Sequence, residues 1–136
     1  MKAEVAEAIE QIKGAAVGVR SVPDADGGAC VLVDGIDIGS AFSPSVTWIA
    51  FPITWAYPDT DCYPHFIDPG IKYVGSGPAP NQHPDGNLPK SITRGATVPG
   101  FNCAASQVSR KSNRRNADTD TALLKLMRVI DFLRSC

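Results

Sequence analysis

The chain lacks several features that would assign it to a common class. Its formal net charge of −1 over 136 residues gives no general attraction to nucleic acid or to an anionic membrane. No apolar run approaches the ~20 residues that cross a bilayer, and glutamates within residues 3–13 argue against a signal peptide. The four cysteines form no close-spaced framework. We therefore expect one reduced, cytoplasmic domain over residues 1–136, with neither nucleic acid nor membrane as a partner.

Proline and glycine are plentiful instead. Eleven prolines and twelve glycines, concentrated between residues 58 and 100, predict an irregular middle of the chain. Before it, apolar residues recur at helical spacing at Val5, Ala8, Ile9 and Ile12. Gly14 is the expected end of this first helix.

The last predicted helix covers residues 119–134. Its wide apolar face consists of Leu123, Leu124, Leu126, Met127, Val129, Ile130, Phe132 and Leu133. Its narrow water-facing stripe consists of Lys125, Arg128 and Asp131. Asp118 or Thr119 is the expected cap of its N-terminus.

Strand-like runs are confined to the region between residues 16 and 74. They lie at residues 16–22, 29–33, 46–55 and 66–74, the last interrupted by Pro-Gly at 69–70. The turn-forming residues 23–28 separate the first two runs. Trp48, Phe51 and Trp55 are expected core aromatics of the third run. The order of helix, antiparallel meander, long loop and helix predicts an α+β fold.

Cys103 is the main candidate for chemistry. It is expected on the long loop, after the Pro/Gly-rich residues 78–99, where a thiol is reachable by a large partner. Asn102 beside it is a candidate hydrogen-bond donor. Cys62, next to Asp61, is the competing thiol, and the neighbouring negative charge opposes thiolate formation there.

Residues 57–69, Tyr-Pro-Asp-Thr-Asp-Cys-Tyr-Pro-His-Phe-Ile-Asp-Pro, resemble the Tyr-Pro passage of ubiquitin-conjugating (E2) enzymes, most closely that of the bacterial E2-like branch. Val-Ser-Arg at 108–110 and the apolar positions of the last helix resemble that branch's Ser-Arg element and the helix after it. The likeness covers nearly the whole chain in order of elements. It implies a UBC-like fold, an antiparallel β-meander flanked by an N-terminal helix and a C-terminal helix.

The same resemblance implies a function. In the E2 family, a cysteine in the position of Cys103 carries a ubiquitin-like protein as a thioester, without a cofactor or a metal. Members of the bacterial branch occur with an E1-like adenylating enzyme, a ubiquitin-like modifier and a JAB-type metalloprotease, often in phage-defence islands. Arg110 and Lys111, in a basic cluster near Cys103, are the expected docking residues for an acidic surface of the modifier or the E1-like enzyme.

Three alternatives remain open. Typical E2 proteins carry His-Pro-Asn shortly before the cysteine, whereas here residues 83–85 are His-Pro-Asp and stand much earlier, so the oxyanion-stabilising group is unassigned. This departure favours a catalytically inactive E2-fold binding module. Cys62, His65, His83 and Cys103 also form a conceivable Cys₂His₂ zinc site. A cysteine hydrolase that pairs Cys103 with His65 or His83 is the third alternative.

Overall fold

The computed structural model of the protein describes residues 1–84, 86–108, 116 and 120–136. Helix α1 is Ala3–Ala15 and helix α2 is Ala122–Arg134. The strands are β1 (Val19–Pro23), β2 (Ala29–Asp37), β3 (Phe42–Ser43), β4 (Val46–Ile53), β5 (His65–Ile67), β6 (Lys72–Tyr73), β7 (Ile92–Val98) and β8 (Cys103–Val108).

Six of these strands form one antiparallel sheet in the order β1-β2-β4-β5-β8-β7, and β3 pairs with β6 in a small second sheet. The predicted α+β class is confirmed at this level, with a helix near each end of the chain and antiparallel strands between them. The expected meander of four strands followed by a loop is wrong, because β7 and β8 lie in the stretch that was predicted to be irregular.

The predicted turn between the first two strands is confirmed, and its geometry is local. The Asp24 carboxylate accepts hydrogen bonds from the backbone N–H groups of Asp26 at 2.8 Å and Gly28 at 2.9 Å. A Cβ atom at Gly28 would clash with the carbonyl oxygen of Ile53. Asp24 therefore stabilises the turn of this hairpin, and Gly28 allows β4 to approach it closely.

The two helices pack on one face of the main sheet. α1 buries Val5, Ala8, Ile9 and Ile12, as its spacing predicts, and ends at Ala15, one residue beyond Gly14. α2 begins at Ala122, three residues later than expected. Thr121 caps it, since its side chain accepts a hydrogen bond from the N–H of Leu124 at 3.1 Å. The expected caps at 118 and 119 lie outside the described residues.

The opposite face of the sheet carries its own apolar cluster, here called the second cluster. Its buried members are Cys30, Leu32, Ala50, Phe66, Val98 and Ala105, and its partly buried members are Trp48, Ala96, Phe101 and Cys103. Trp48 packs in this cluster and Phe51 in the core beneath the helices, as predicted. Trp55 is 60% exposed and is not a core aromatic. β4 ends at Ile53, so Trp55 lies beyond the strand that was expected to bury it.

Candidate functional site

Cys103 is the first residue of strand β8 and is paired with Val98 of β7. The prediction that it lies on a long loop is therefore wrong. It remains partly exposed and lies at the end of the sheet where the four-residue turn 99–102 joins the two strands. The thiol is thus held by strand pairing and is still reachable from outside.

The turn before Cys103 follows from its sequence. Gly100 (φ +82°) and Asn102 (φ 52°) both adopt left-handed backbone conformations, which glycine and asparagine tolerate best. The N–H of Asn102 donates to the carbonyl of Val98 at 3.0 Å and closes the turn. Asn102 is itself exposed, so its amide is available to a bound partner.

Cys103 packs against the apolar side chains of the second cluster, to which Cys30 also belongs. Alternate residues of β8 point to opposite faces of the sheet. Cys103 and Ala105 face the second cluster, whereas Val108 belongs to the core beneath the helices. The site is therefore a thiol at the margin of an apolar layer.

The other three thiols are less available. Cys30 and Cys62 are buried, and burial is the main cause that raises the pKa of Cys30 to about 11. Cys136 packs partly against the core, and burial raises the pKa of its thiol as well. Cys62 lies within the core beneath the helices.

His65 does not belong to the site at Cys103. It is wholly buried on the helix-covered face, where its ring stacks on Phe51 with the centroids 4.6 Å apart. Burial first, and the charge of Lys125 second, lower its pKa to about 3. Neither ring nitrogen has a hydrogen-bond partner in the described part of the chain. A Cys103–His65 pair is therefore excluded by the sheet that lies between them.

His83 lies at the other end of strand β7. It lines a small depression with Leu88, Ile92 and Arg94, and Ile92 begins β7, whereas Cys103 pairs with the last residue of that strand. Seven residues of strand extend for about 20 Å. The described residues contain no cluster of three metal-ligating side chains. The zinc site and the two Cys–His pairs are wrong for this fold.

Lys125 of α2 forms a buried ion pair that the sequence analysis does not predict. Nζ of Lys125 donates to Oδ2 of Asp61 at 2.8 Å, and the two side chains are 6% and 11% exposed. The placement of Lys125 on a water-facing stripe is wrong, and so is the burial of Met127, which is exposed. Lys125 does fit the buried spacing of Ala122, Leu126, Val129 and Leu133, and this spacing was the available signal.

The Tyr-Pro passage, residues 57–69, anchors helix α2. The hydroxyl of Tyr57, from the same passage as Asp61, accepts a hydrogen bond from the backbone N–H of Ala122 at 3.1 Å. Two side chains of residues 57–69 thus hold the beginning of α2. Tyr57 and Asp61 fix the helix against the sheet, whereas Phe66 of the same passage lies in the second cluster with Cys103.

Arg110 and Lys111 lie outside the described residues, so their proposed docking role stays a prediction. Neither α1 nor α2, the two helices of the described part, is long and apolar enough to cross a membrane. The chain matches no protein-family model, no curated protein and no solved structure. The functional argument therefore depends on the residues themselves.

Proposed function

We propose that the protein is an E2-like carrier in which Cys103 receives the C-terminus of a ubiquitin-like protein, as a thioester, from an E1-like adenylating enzyme. The carrier then passes this protein to a target amine, in a bacterial antiphage conjugation pathway that also includes a JAB-type metalloprotease. One observation carries the proposal: Cys103 is held at the start of β8 and is partly exposed, whereas Cys30 and Cys62 are buried.

Thioester transfer requires few catalytic groups around the sulfur of Cys103. The Cys103 thiolate attacks the thioester carbonyl carbon on the E1-like enzyme, a new C–S bond forms, and the thiolate of that enzyme leaves. The target amine later attacks the carbonyl carbon, a C–N bond forms, Cys103 leaves as a thiolate, and the amine gives up a proton. Because both leaving groups are thiolates, an apolar surrounding without a strong acid is compatible with the reaction. The exposed amide of Asn102 is the candidate donor to the tetrahedral oxyanion.

A second candidate function is a catalytically inactive E2-fold binding module. The observation that favours it is the packing of Cys103 against the apolar side chains of the second cluster. In this case the protein binds a ubiquitin-like protein or another partner without a covalent bond.

The test is a loading reaction. The purified protein is incubated with its matched E1-like enzyme, ubiquitin-like protein and ATP, and its intact mass is measured with and without reducing agent. We expect an adduct that the reducing agent cleaves. Cys103→Ser should give an adduct that resists the reducing agent, because an oxyester replaces the thioester. Cys103→Ala should give none and keep its fold, since a partly exposed residue at a strand end contributes little packing.

Cys136→Ser is the matched control, because Cys136 is also partly exposed but lies at the end of α2. It should load as the unchanged protein does. Normal loading of Cys103→Ala overturns the thioester at this residue. Stable binding of the modifier without any adduct, in a reaction in which the E1-like enzyme is itself loaded, supports the binding module.

A further inference from the structure

Two of the four cysteines share one apolar layer. Cys30 of β2 and Cys103 of β8 both belong to the second cluster, although β4 and β5 lie between their strands in the sheet. Strands that are not neighbours bring side chains together only where the sheet curls. The question is therefore how closely the two ends of the sheet approach each other.

The turn before Cys103 lies directly over Cys30. A Cβ atom built at Gly100 would lie 3.4 Å from Cβ of Val22 and 3.7 Å from Cβ of Cys30. The neighbouring Phe101 ring receives the guanidinium of Arg20, 5.7 Å from its centroid. Two successive turn residues thus contact β1 and β2, so the hairpin of β7 and β8 folds back across the sheet. Cys103 follows this turn immediately.

The thiol of Cys103 also acts electrostatically on that of Cys30. Burial is the main cause of the raised pKa of Cys30, and the negative charge of Cys103 raises it further. A cleft of about 130 Å³, lined in part by Cys30, Pro99 and Gly100, lies beside the turn. Cys103 is partly exposed, whereas Cys30 is buried. We therefore expect oxidants to react first with the thiol of Cys103, because it is more exposed than that of Cys30.

We infer that Cys103 and Cys30 form an oxidisable pair, in which peroxide first oxidises Cys103 and Cys30 then closes a disulfide with it. In the first step the Cys103 thiolate attacks one oxygen of hydrogen peroxide, the O–O bond breaks, and sulfenic acid and hydroxide are formed. In the second step the Cys30 sulfur attacks the sulfenic sulfur, the S–S bond forms and hydroxide leaves. With the two thiol protons, the products are one disulfide and two water molecules, and a dithiol reductant reverses the change.

The inference does not depend on the proposed function, because it needs neither the modifier nor the E1-like enzyme. Its consequence for any chemistry at Cys103 is direct, since the disulfide removes the thiol from use. The buried position of Cys30 predicts a slow second step, because only its small thiolate fraction attacks.

The experiment treats the purified chain with equimolar hydrogen peroxide at neutral pH, alkylates the remaining thiols after unfolding, and maps the peptides. We expect loss of two hydrogen atoms from the intact mass and a linked peptide that contains Cys30 and Cys103. Both residues should lose alkylation together and regain it after treatment with dithiothreitol. A map of the unaltered chain suffices for this result, so the test does not depend on the folding of a variant.

Cys30→Val, which keeps a small apolar side chain on β2, should abolish the linked peptide and let sulfenic acid at Cys103 accumulate, where dimedone traps it. Cys136→Val is the matched control and should leave the linkage unchanged. If the oxidised wild type instead carries dimedone-reactive or over-oxidised Cys103 with Cys30 still alkylated, the inference is overturned. A disulfide between two chains through Cys103 also overturns it.

Discussion

The buried pair of Lys125 and Asp61 gives the sharpest test of how this fold is held together. Their charged atoms are 2.8 Å apart, and both side chains are almost fully removed from water. When one member of such a pair is lost, the other charge stays buried without its partner, and the usual cost is about 3–5 kcal/mol. We therefore expect Lys125→Met to lower the free energy of unfolding by this amount. That is a large part of the ~5–15 kcal/mol that stabilises a typical domain.

The measurement is urea denaturation at neutral pH, followed by circular dichroism and analysed by linear extrapolation. Lys125→Met combined with Asp61→Leu should recover most of the loss, because no uncompensated charge remains. Arg128→Met is the matched control on the same helix. Arg128 pairs with Asp120 at 2.9 Å but is 51% exposed, so its loss should cost no more than about 1 kcal/mol. Equal destabilisation by Lys125→Met and Arg128→Met would refute the reasoning.

Two further predictions concern stability. The pKa of His65 is held near 3, below the ordinary 6.5, so the unfolded chain binds a proton that the folded chain excludes as the pH falls through this window. Between pH 6.5 and 3, the free energy of unfolding should therefore fall by up to about 1.4 kcal/mol for each pH unit. His65→Leu should remove this pH dependence of stability, whereas His83→Leu should keep it. Equal slopes for the two variants would contradict the assignment to His65. Gly28→Ala should cost about 1–3 kcal/mol, because its Cβ would meet the Ile53 carbonyl. Gly14→Ala, with open space around it in α1, should gain up to about 1 kcal/mol, and thermal melts that rank the two glycine variants in the opposite order would reject this account.

The parts of the fold that the sequence predicts are those with local causes. Helix α1 follows from apolar residues at helical spacing, and the first hairpin follows from the turn at 23–28. Strand β8 has no comparable signal, because it begins with Cys-Ala-Ala-Ser, and small residues have little preference for strands. Its conformation depends on pairing with β5 on one side and β7 on the other. Such pairing is invisible in a window of neighbouring residues.

The same distinction applies to α2. Periodicity identifies the helix correctly, but a charged residue next to apolar ones is read as facing water. Lys125 is buried because Asp61, 64 residues earlier in the chain, supplies a carboxylate in the core. The orientation of the helix is thus decided by a tertiary contact with the Tyr-Pro passage. Once Lys125 is placed inside, the exposure of Met127 follows from the helical geometry.

The sequence identifies Cys103 but not the layer in which it lies. The side chain of Cys103 faces the second cluster, where Cys30 also lies, and the residue is partly exposed. The proposed thioester uses this exposure, and the inferred disulfide uses the shared cluster. A single sulfur atom cannot carry both bonds, so the two modifications compete for Cys103. In the proposed carrier, an acyl group on Cys103 therefore protects the pair from peroxide, and oxidation of the inferred pair prevents the proposed loading by an E1-like enzyme.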